Sequence, residues 1–371
     1  MDFDLSEEQR AVATMAEELF ADHGGDEHLK GLAAANLTWD EGLWQRLRAA
    51  GLFTLALPAE DGGAGLGMLE FALAIEQQGR HLAAAPWWPH HLATLALARF
   101  GAPALRARLL AEFAAGRQPC SLVTEVVAPP NLRARPVAAG VQLDGMVPAV
   151  PLDLNHRHLL IPVTTGDTGS AARLALIPAN LSGVTRVSGL LTDLQPVHDL
   201  HFEGARTPFE TMLDAAALPW LDARIALCVA AQQLGVLGEA LQRTARFTSE
   251  RQQFGRPLAT FQALALRAAD AYIEVELLRS TVWQLAWRLD QNLPAEAAAR
   301  VAKLHAARAG HVVGHTVQHL HGGIGTDLTY PIHRFFLKSQ ALALIGGGHE
   351  AQLARIGAAL ADQRHEDYLH E

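Results

Sequence analysis

Arg251-Gln-Gln-Phe-Gly-Arg-Pro-Leu-Ala-Thr-Phe-Gln262 is answered further along the chain by His319-Leu-His-Gly-Gly-Ile-Gly325 and Thr329-Tyr-Pro331. The first segment sets an arginine, an aromatic and an amide at a break between helical patterns. The second is a glycine-rich turn at the end of another helix. A guanidinium forks onto phosphate oxygens, and glycines let backbone donors approach an anion. Together the two segments make a clamp suited to a dinucleotide pyrophosphate. Alone, Arg251-x-x-Phe254-Gly255 also reads as a helix end capped by Gly255 beside an exposed arginine.

Working outward, residues 213–371 carry helix-period apolar positions over Ala226–Glu250, Leu258–Leu289, Ala295–Leu320 and about Gly348–Asp362. Four such helices make an antiparallel bundle. Residues 118–212 change character, with β-branched runs at Ser121–Val127, Val137–Leu143, Leu159–Val163, Leu174–Pro178, Val184–Ser188 and Val197–Phe202. Asp144-Gly145 and Asn180-Leu-Ser-Gly183 supply turn chemistry between them, so this stretch reads as a small β domain or barrel. Residues 1–117 read as helices again. Ser6 and Gln9 form a capping box, a second helix over about 40–50 ends at Gly51, and a third begins near Met68. Others span about 90–100 and Pro103–Ala115, with Pro86 and Pro89 bracketing Trp87-Trp88.

The 371 residues suffice for two or three domains. No uninterrupted apolar run approaches the ~20 residues of a membrane span. The acidic opening reads as a helix rather than a signal or transit peptide. A net charge of −9 argues against nucleic acid as partner. Two lone cysteines, Cys120 and Cys228, give no disulfide framework and suit a reducing cytoplasm.

Three segments resemble the acyl-CoA dehydrogenase family, the FAD-dependent flavoenzymes that desaturate acyl-CoA thioesters. They are the Arg251–Gln262 stretch with its glycine-rich turn, Asp4-Leu-Ser-Glu-Glu-Gln-Arg10 as the first helix, and Pro58-Ala-Glu-Asp-Gly-Gly-Ala-Gly65 as the P-x-x-x-G-G loop. The resemblance implies a mainly α fold with a small β domain. It runs as an N-terminal helical domain (1–117), a middle β barrel (118–212) and a C-terminal four-helix bundle (213–371). By the same resemblance Arg251, Phe254, Gln262, His319, Gly322 and Gly323 contact the adenylate and pyrophosphate of FAD. His319 stands where the family has a glutamine, with Gln318 displaced by one position.

Desaturation needs a carboxylate base for the α proton and a flavin to take hydride from the β carbon. In most of the family that base is a glutamate in a Y-E-G-T-S-E-I segment. Counted along this chain, its position is Gly346 in Ile345-Gly-Gly-Gly-His-Glu-Ala351, the flavin-contacting threonine is Gly348, and the second glutamate is Glu350. Members that carry the base on the preceding long helix place it at Ala223 or Ile225 here. No family base position is acidic, which leaves Asp222 and Glu350 as weak candidates. The flavin-cradling T-E-P-x-x-G-S-D segment keeps only Thr124-Glu125, and Gly145-Met-Val-Pro-Ala-Val-Pro151 lacks the family's aromatic and hydroxyl.

In homotetrameric members the Arg-x-x-Phe-Gly pair and the glycine turn reach a neighbour's FAD, whereas the base and β strands serve the subunit's own. This chain keeps the first set and loses the second. It resembles the small or β subunits of heteromeric enzymes acting on pimeloyl-CoA or steroid side chains. That implies FAD shared with a second acyl-CoA dehydrogenase-type subunit, an α2β2 assembly, an acyl-CoA substrate, electron-transfer flavoprotein as acceptor and a cytoplasmic location. Two alternatives stay open, a self-sufficient homo-oligomer with a relocated base and a non-redox scaffold. His311, His315 and His319 recur every fourth residue without an acidic or cysteine companion, so they read as an interfacial stripe and not a metal site. Gly346-Gly347-Gly348 reads as an interhelical hinge or an anion cradle, and Trp87-Trp88 as core or interface.

Overall fold

The computed structural model describes residues 4–35, 37–124, 131–153, 155–166 and 171–369. Six helices open the chain: α1 (Glu7–Ala21), α2 (Asp26–Ala34), α3 (Glu41–Ala49), α4 (Met68–Arg80), α5 (Trp87–Phe100) and α6 (Pro103–Ala114). Seven strands follow: β1 (Cys120–Leu122), β2 (Leu132–Val137), β3 (Gly140–Pro151), β4 (His158–Thr165), β5 (Ala171–Pro178), β6 (Val184–Leu190) and β7 (Pro196–Thr207). Then come α7 (Ala217–Glu250), the short strands β8 (Gln252–Gln253) and β9 (Arg256–Pro257), α8 (Gln262–Asp290), α9 (Glu296–His321), α10 (Ile332–Leu344) and α11 (His349–Leu369). The expected mainly helical fold with one β domain is present.

Local chemistry explains the ends. Ser6 and Gln9 form the capping box at α1, the Gln9 N–H donating to Ser6 Oγ at 3.2 Å and the Ser6 N–H to Gln9 Oε1 at 2.9 Å. After α3, Gly51 takes a left-handed φ of 72°, the conformation expected of it. α5 begins at Trp87, earlier than the proline pair suggested, because Pro89 sits in its first turn, where no N–H is needed. α8 begins at Gln262 and not at Leu258, since Leu258–Thr260 form a 3-10 turn and Phe261 is extended. Two helices escaped the sequence reading. α2 has no buried residue to give it an apolar stripe, and α10 lies in the stretch between the two glycine turns. Among the described residues, α7 to α11 follow the β strands, α10 being the helix added to the four read from the sequence. α7 carries an apolar window long enough to cross a membrane, but 83% of that window is buried inside the protein as core.

The chain forms two compact units interleaved in sequence, which cut across the boundaries at residues 117 and 212. The first comprises residues 1–26, 68–83 and 226–371, so α1 and α4 group with the C-terminal helices. Within it α4 and α7 pack backbone to backbone. A Cβ on Gly235 would lie 1.8 Å from the Glu76 carbonyl oxygen, and one on Gly79 would lie 2.2 Å from that of Gln232. The Asp290 carboxylate, at the end of α8, accepts the Met68 N–H at 2.6 Å and the Leu69 N–H at 3.1 Å. It thereby caps α4 from a distant part of the chain.

The second unit comprises residues 27–67 and 84–225. Its sheet runs β1-β4-β2-β3-β7-β6, with β5 on β4. β1 and β2 lie parallel to β4 and the other pairs are antiparallel. Leu132, Leu143, Leu159, Ile161, Val163, Leu200 and Phe202 fill its core. Two turn assignments are corrected here. The β2–β3 turn falls at Ala138-Ala139, inside the expected strand Val137–Leu143. Asp144-Gly145 is no turn but a bulge within β3, where the register against β7 shifts and Gly145 has a φ of 132°. Asn180–Gly183 does turn the chain between β5 and β6.

Candidate functional site

The Arg251–Gln262 segment is a helix–hairpin–helix. β8 pairs with β9, and the turn between them, Phe254-Gly255, has φ of 55° and 78°. Two consecutive left-handed residues are the mark of a two-residue type I′ hairpin turn. Gly255 is therefore a hairpin glycine and not the helix cap that the motif alone allowed. Phe254 is a bulky residue in a conformation that costs strain, and it is 92% exposed. Its ring meets Phe261 edge-on at 6.2 Å, and the Arg256 guanidinium lies 4.0 Å over Phe261. Arg251 follows α7 directly, its N–H donating to the Phe247 carbonyl at 2.8 Å while its own carbonyl accepts from Leu258 at 2.9 Å. The backbone is thus pinned and the side chain left exposed. Gln262, the first residue of α8, is also exposed.

The glycine turn closes α9. Gly322 has φ 63° and ψ −143°, a region essentially confined to glycine. Its N–H is not bare, as the sequence suggested, but is spent on the carbonyls of Gln318 and His319. A Cβ placed on Gly322 or Gly323 would meet nothing within 4 Å, so the turn faces open space. His319 is exposed. Gln318, the displaced amide, has a buried Oε1 without a hydrogen-bond partner among the described residues, directed at Gly325. Phe247 in the last turns of α7 stacks on His321 in the last turn of α9, ring centroids 4.5 Å apart and 21° from parallel. Both motif segments therefore stand at one end of the first unit.

The residues expected at the base positions behave differently. Gly346 and Gly347 follow α10 with φ of 72° and 95°. The Gln352 amide donates to the Gly346 carbonyl at 2.8 Å and to that of Gly347 at 3.3 Å, and Arg355 reaches Gly346 at 3.4 Å. Lys303, 3% exposed, donates to the Ala343 carbonyl at 2.9 Å. The expected hinge is in fact a tied turn. Glu350 is exposed in the first turn of α11, where a carboxylate suits the helix N-terminus. In the second unit Asp222 is exposed, Ala223 half-buried and Ile225 in the core. Arg224 beside them stacks 3.8 Å over Trp220 and donates to the Trp220 carbonyl at 3.0 Å.

In β3, the stretch matching the family's aromatic strand leaves the sheet register between Val147 and Val150. Ala149 has a φ of 50°, and its N–H is taken by the Asp199 carboxylate at 2.8 Å. Pro148 sits in this bulge, where its missing N–H costs no ladder bond. Glu125, with the residues to Pro130, lies outside the described residues.

The other sequence candidates differ in burial. His311 and His315 are exposed, 4.5 Å apart edge to face, and His315 also meets Phe336. Trp87 and Trp88 are buried, the Trp87 indole donating to the Leu52 carbonyl at 3.0 Å. Cys120 and Cys228 are buried and form no disulfide among the described residues, and burial pushes the Cys120 thiol far up. His90 and His91, which the sequence reading passed over, are fully buried and held at about 3 and about 4 by desolvation.

An exposed cation and aromatic on the hairpin, an exposed amide at the start of α8 and His319 before an open glycine turn are groups of the kind that fit the phosphate end of FAD. The β3 bulge offers no aromatic and no hydroxyl for a flavin ring.

Comparisons with known proteins identify the family. The acyl-CoA dehydrogenase N-terminal domain matches residues 6–117, and the acyl-CoA dehydrogenase C-terminal domain matches residues 223–361. Acyl-CoA dehydrogenase FadE27 of Mycobacterium tuberculosis is 33% identical, covering 98% of this chain and 99% of its own. A chain of the ChsE4–ChsE5 complex from Mycobacterium tuberculosis superposes with a TM-score of 0.91 at 34% identity, over 97% of this chain and 99% of that one. A chain of the Tcur3481–Tcur3483 steroid ACAD, solved as a variant, does so with a TM-score of 0.90 at 36% identity, over 96% and 99%. The chain belongs to the acyl-CoA dehydrogenase family.

Proposed function

We propose that this chain is the partner-dependent subunit of a heteromeric, FAD-dependent acyl-CoA dehydrogenase that desaturates an acyl-CoA thioester between its α and β carbons. One asymmetry carries the reading. The hairpin and glycine turn are present and open, while the base position is Gly346, with a left-handed φ of 72° and its carbonyl tied by Gln352. FAD, when bound, supplies the acceptor for the hydride that leaves the β carbon.

The chain's own residues then bind and orient. Arg251 and Gln262 hold the pyrophosphate, Phe254 covers the adenylate, and His319 with the Gly322–Gly323 turn completes the clamp. The carboxylate that removes the α proton and the contacts to the flavin ring belong to a second acyl-CoA dehydrogenase-type subunit, in an α2β2 complex. The kinship with a protein described as a steroid ACAD supports a bulky lipid or steroid acyl group. Electron-transfer flavoprotein is the acceptor in this reading, and the cytoplasm is its place. Domain limits of 1–117, 118–212 and 213–371 belong to the same proposal.

The test is a visible absorption spectrum of the chain purified alone and again co-expressed with its genomic neighbour. Flavin is expected only in the complex, near one per pair of chains. Full flavin with dye-linked turnover on the lone chain would overturn the proposal and return the base to Asp222 or Glu350.

A further inference from the structure

We propose that His321 is a positioning residue of the clamp, setting the spacing between the Arg251 hairpin and the Gly322–Gly323 turn through its stack on Phe247. The inference rests on the clamp reading above and deepens it.

His321 immediately precedes Gly322, and Phe247 lies one helical turn before Arg251, whose N–H bonds the Phe247 carbonyl at 2.8 Å. A ring contact therefore joins the two segments, with centroids 4.5 Å apart and nearly parallel planes. Tyr330 closes the cluster, 5.5 Å from His321 and 6.3 Å from Phe247. Three rings packed this way resist sliding, because offset aromatic pairs hold a preferred separation.

The polar atoms of His321 are directed inward. It is 5% exposed, and its Nδ1 lies 2.9 Å from the Val317 carbonyl one turn back. A carbonyl only accepts, so Nδ1 carries the proton in the neutral ring. Nε2 is buried without a partner among the described residues. A surface ligand cannot reach that atom, so the ring acts through Phe247 and the turn and not by touching the cofactor. The aromatic plane is what the spacing requires.

The experiment measures FAD affinity of the co-purified complex by fluorescence titration of the flavin-stripped protein, with melting temperature beside it. His321→Ala is expected to weaken FAD roughly 10- to 100-fold, as small misplacements of binding groups do. His321→Phe keeps the stack and is expected to stay within about threefold of the parent. If His321→Ala does not fold, Phe247→Leu carries the same test. Parent-like affinity in a folded His321→Ala or Phe247→Leu complex would overturn the inference, as would a loss in His321→Phe equal to that in His321→Ala. Arg251→Ala separates the two levels. Unchanged affinity there removes the clamp reading itself, whereas a loss there with none in His321→Ala removes only the role of His321.

Discussion

Gln352 holds Gly346: its side-chain amide donates to the glycine carbonyl at 2.8 Å across the turn between α10 and α11. Gly346 sits at a φ of 72°. A glutamate placed at this position would therefore meet a constrained backbone as well as a changed side chain. Replacing Gly346→Glu is expected to cost about 1–2 kcal/mol from the left-handed conformation. A restored carboxylate would also stand near the buried Lys303, whose Cε lies 3.9 Å from a Cβ at this position. Dye-linked turnover by the lone Gly346→Glu chain should stay at background, and measurable turnover would contradict this account.

Arg251 is exposed, with its backbone tied at both ends. Exposed side chains away from special contacts change stability by about 0.5 kcal/mol or less. A charge-assisted bond to phosphate is worth about 1.5–3 kcal/mol. Arg251→Ala should therefore leave the urea midpoint unchanged while FAD affinity of the complex falls about 10- to 100-fold. Equal losses in both measurements would point to a structural role.

Phe254 holds a φ of 55° with its ring in solvent. Asparagine is favoured at the first position of a type I′ turn. Phe254→Asn should raise stability by about 1 kcal/mol while weakening FAD binding by the complex. A variant both less stable and unimpaired in binding would refute the idea that strain is kept here for function.

His90 and His91 define an acid limit. His90 is held on both nitrogens, Nε2 at 2.9 Å from the Phe113 carbonyl and Nδ1 accepting the Cys120 N–H at 3.1 Å. Burial lowers their pKa values from 6.5 to about 3 and about 4. The folded rings stay neutral where the unfolded ones take a proton. Their contribution is thus complete above 6.5 and is lost as pH falls toward 4 and then 3. Each ring removes up to about 1.4 kcal/mol per pH unit across that window. NMR titration checks it, and a native imidazole at either position titrating above about pH 5 would exclude the effect.

The class of fold and the segments proposed for the clamp were legible in the chain. Those depended on local signals: the helix period of α7, α8 and α9, the capping box at Ser6, and glycines whose backbone demands survive in any context. Gly346, Ala223 and Ile225, the positions expected for a base, carry no carboxylate whatever the fold. Tertiary structure decided the rest. α1 and α4 join the C-terminal helices because Gly79 and Gly235 let two backbones touch, a contact between distant residues that no local period announces. Asp144-Gly145 has turn composition but became a bulge, because pairing with β7 outweighed local propensity. The stack of His321 on Phe247 joins residues far apart in the chain, and only packing of α7 against α9 brings the two rings together.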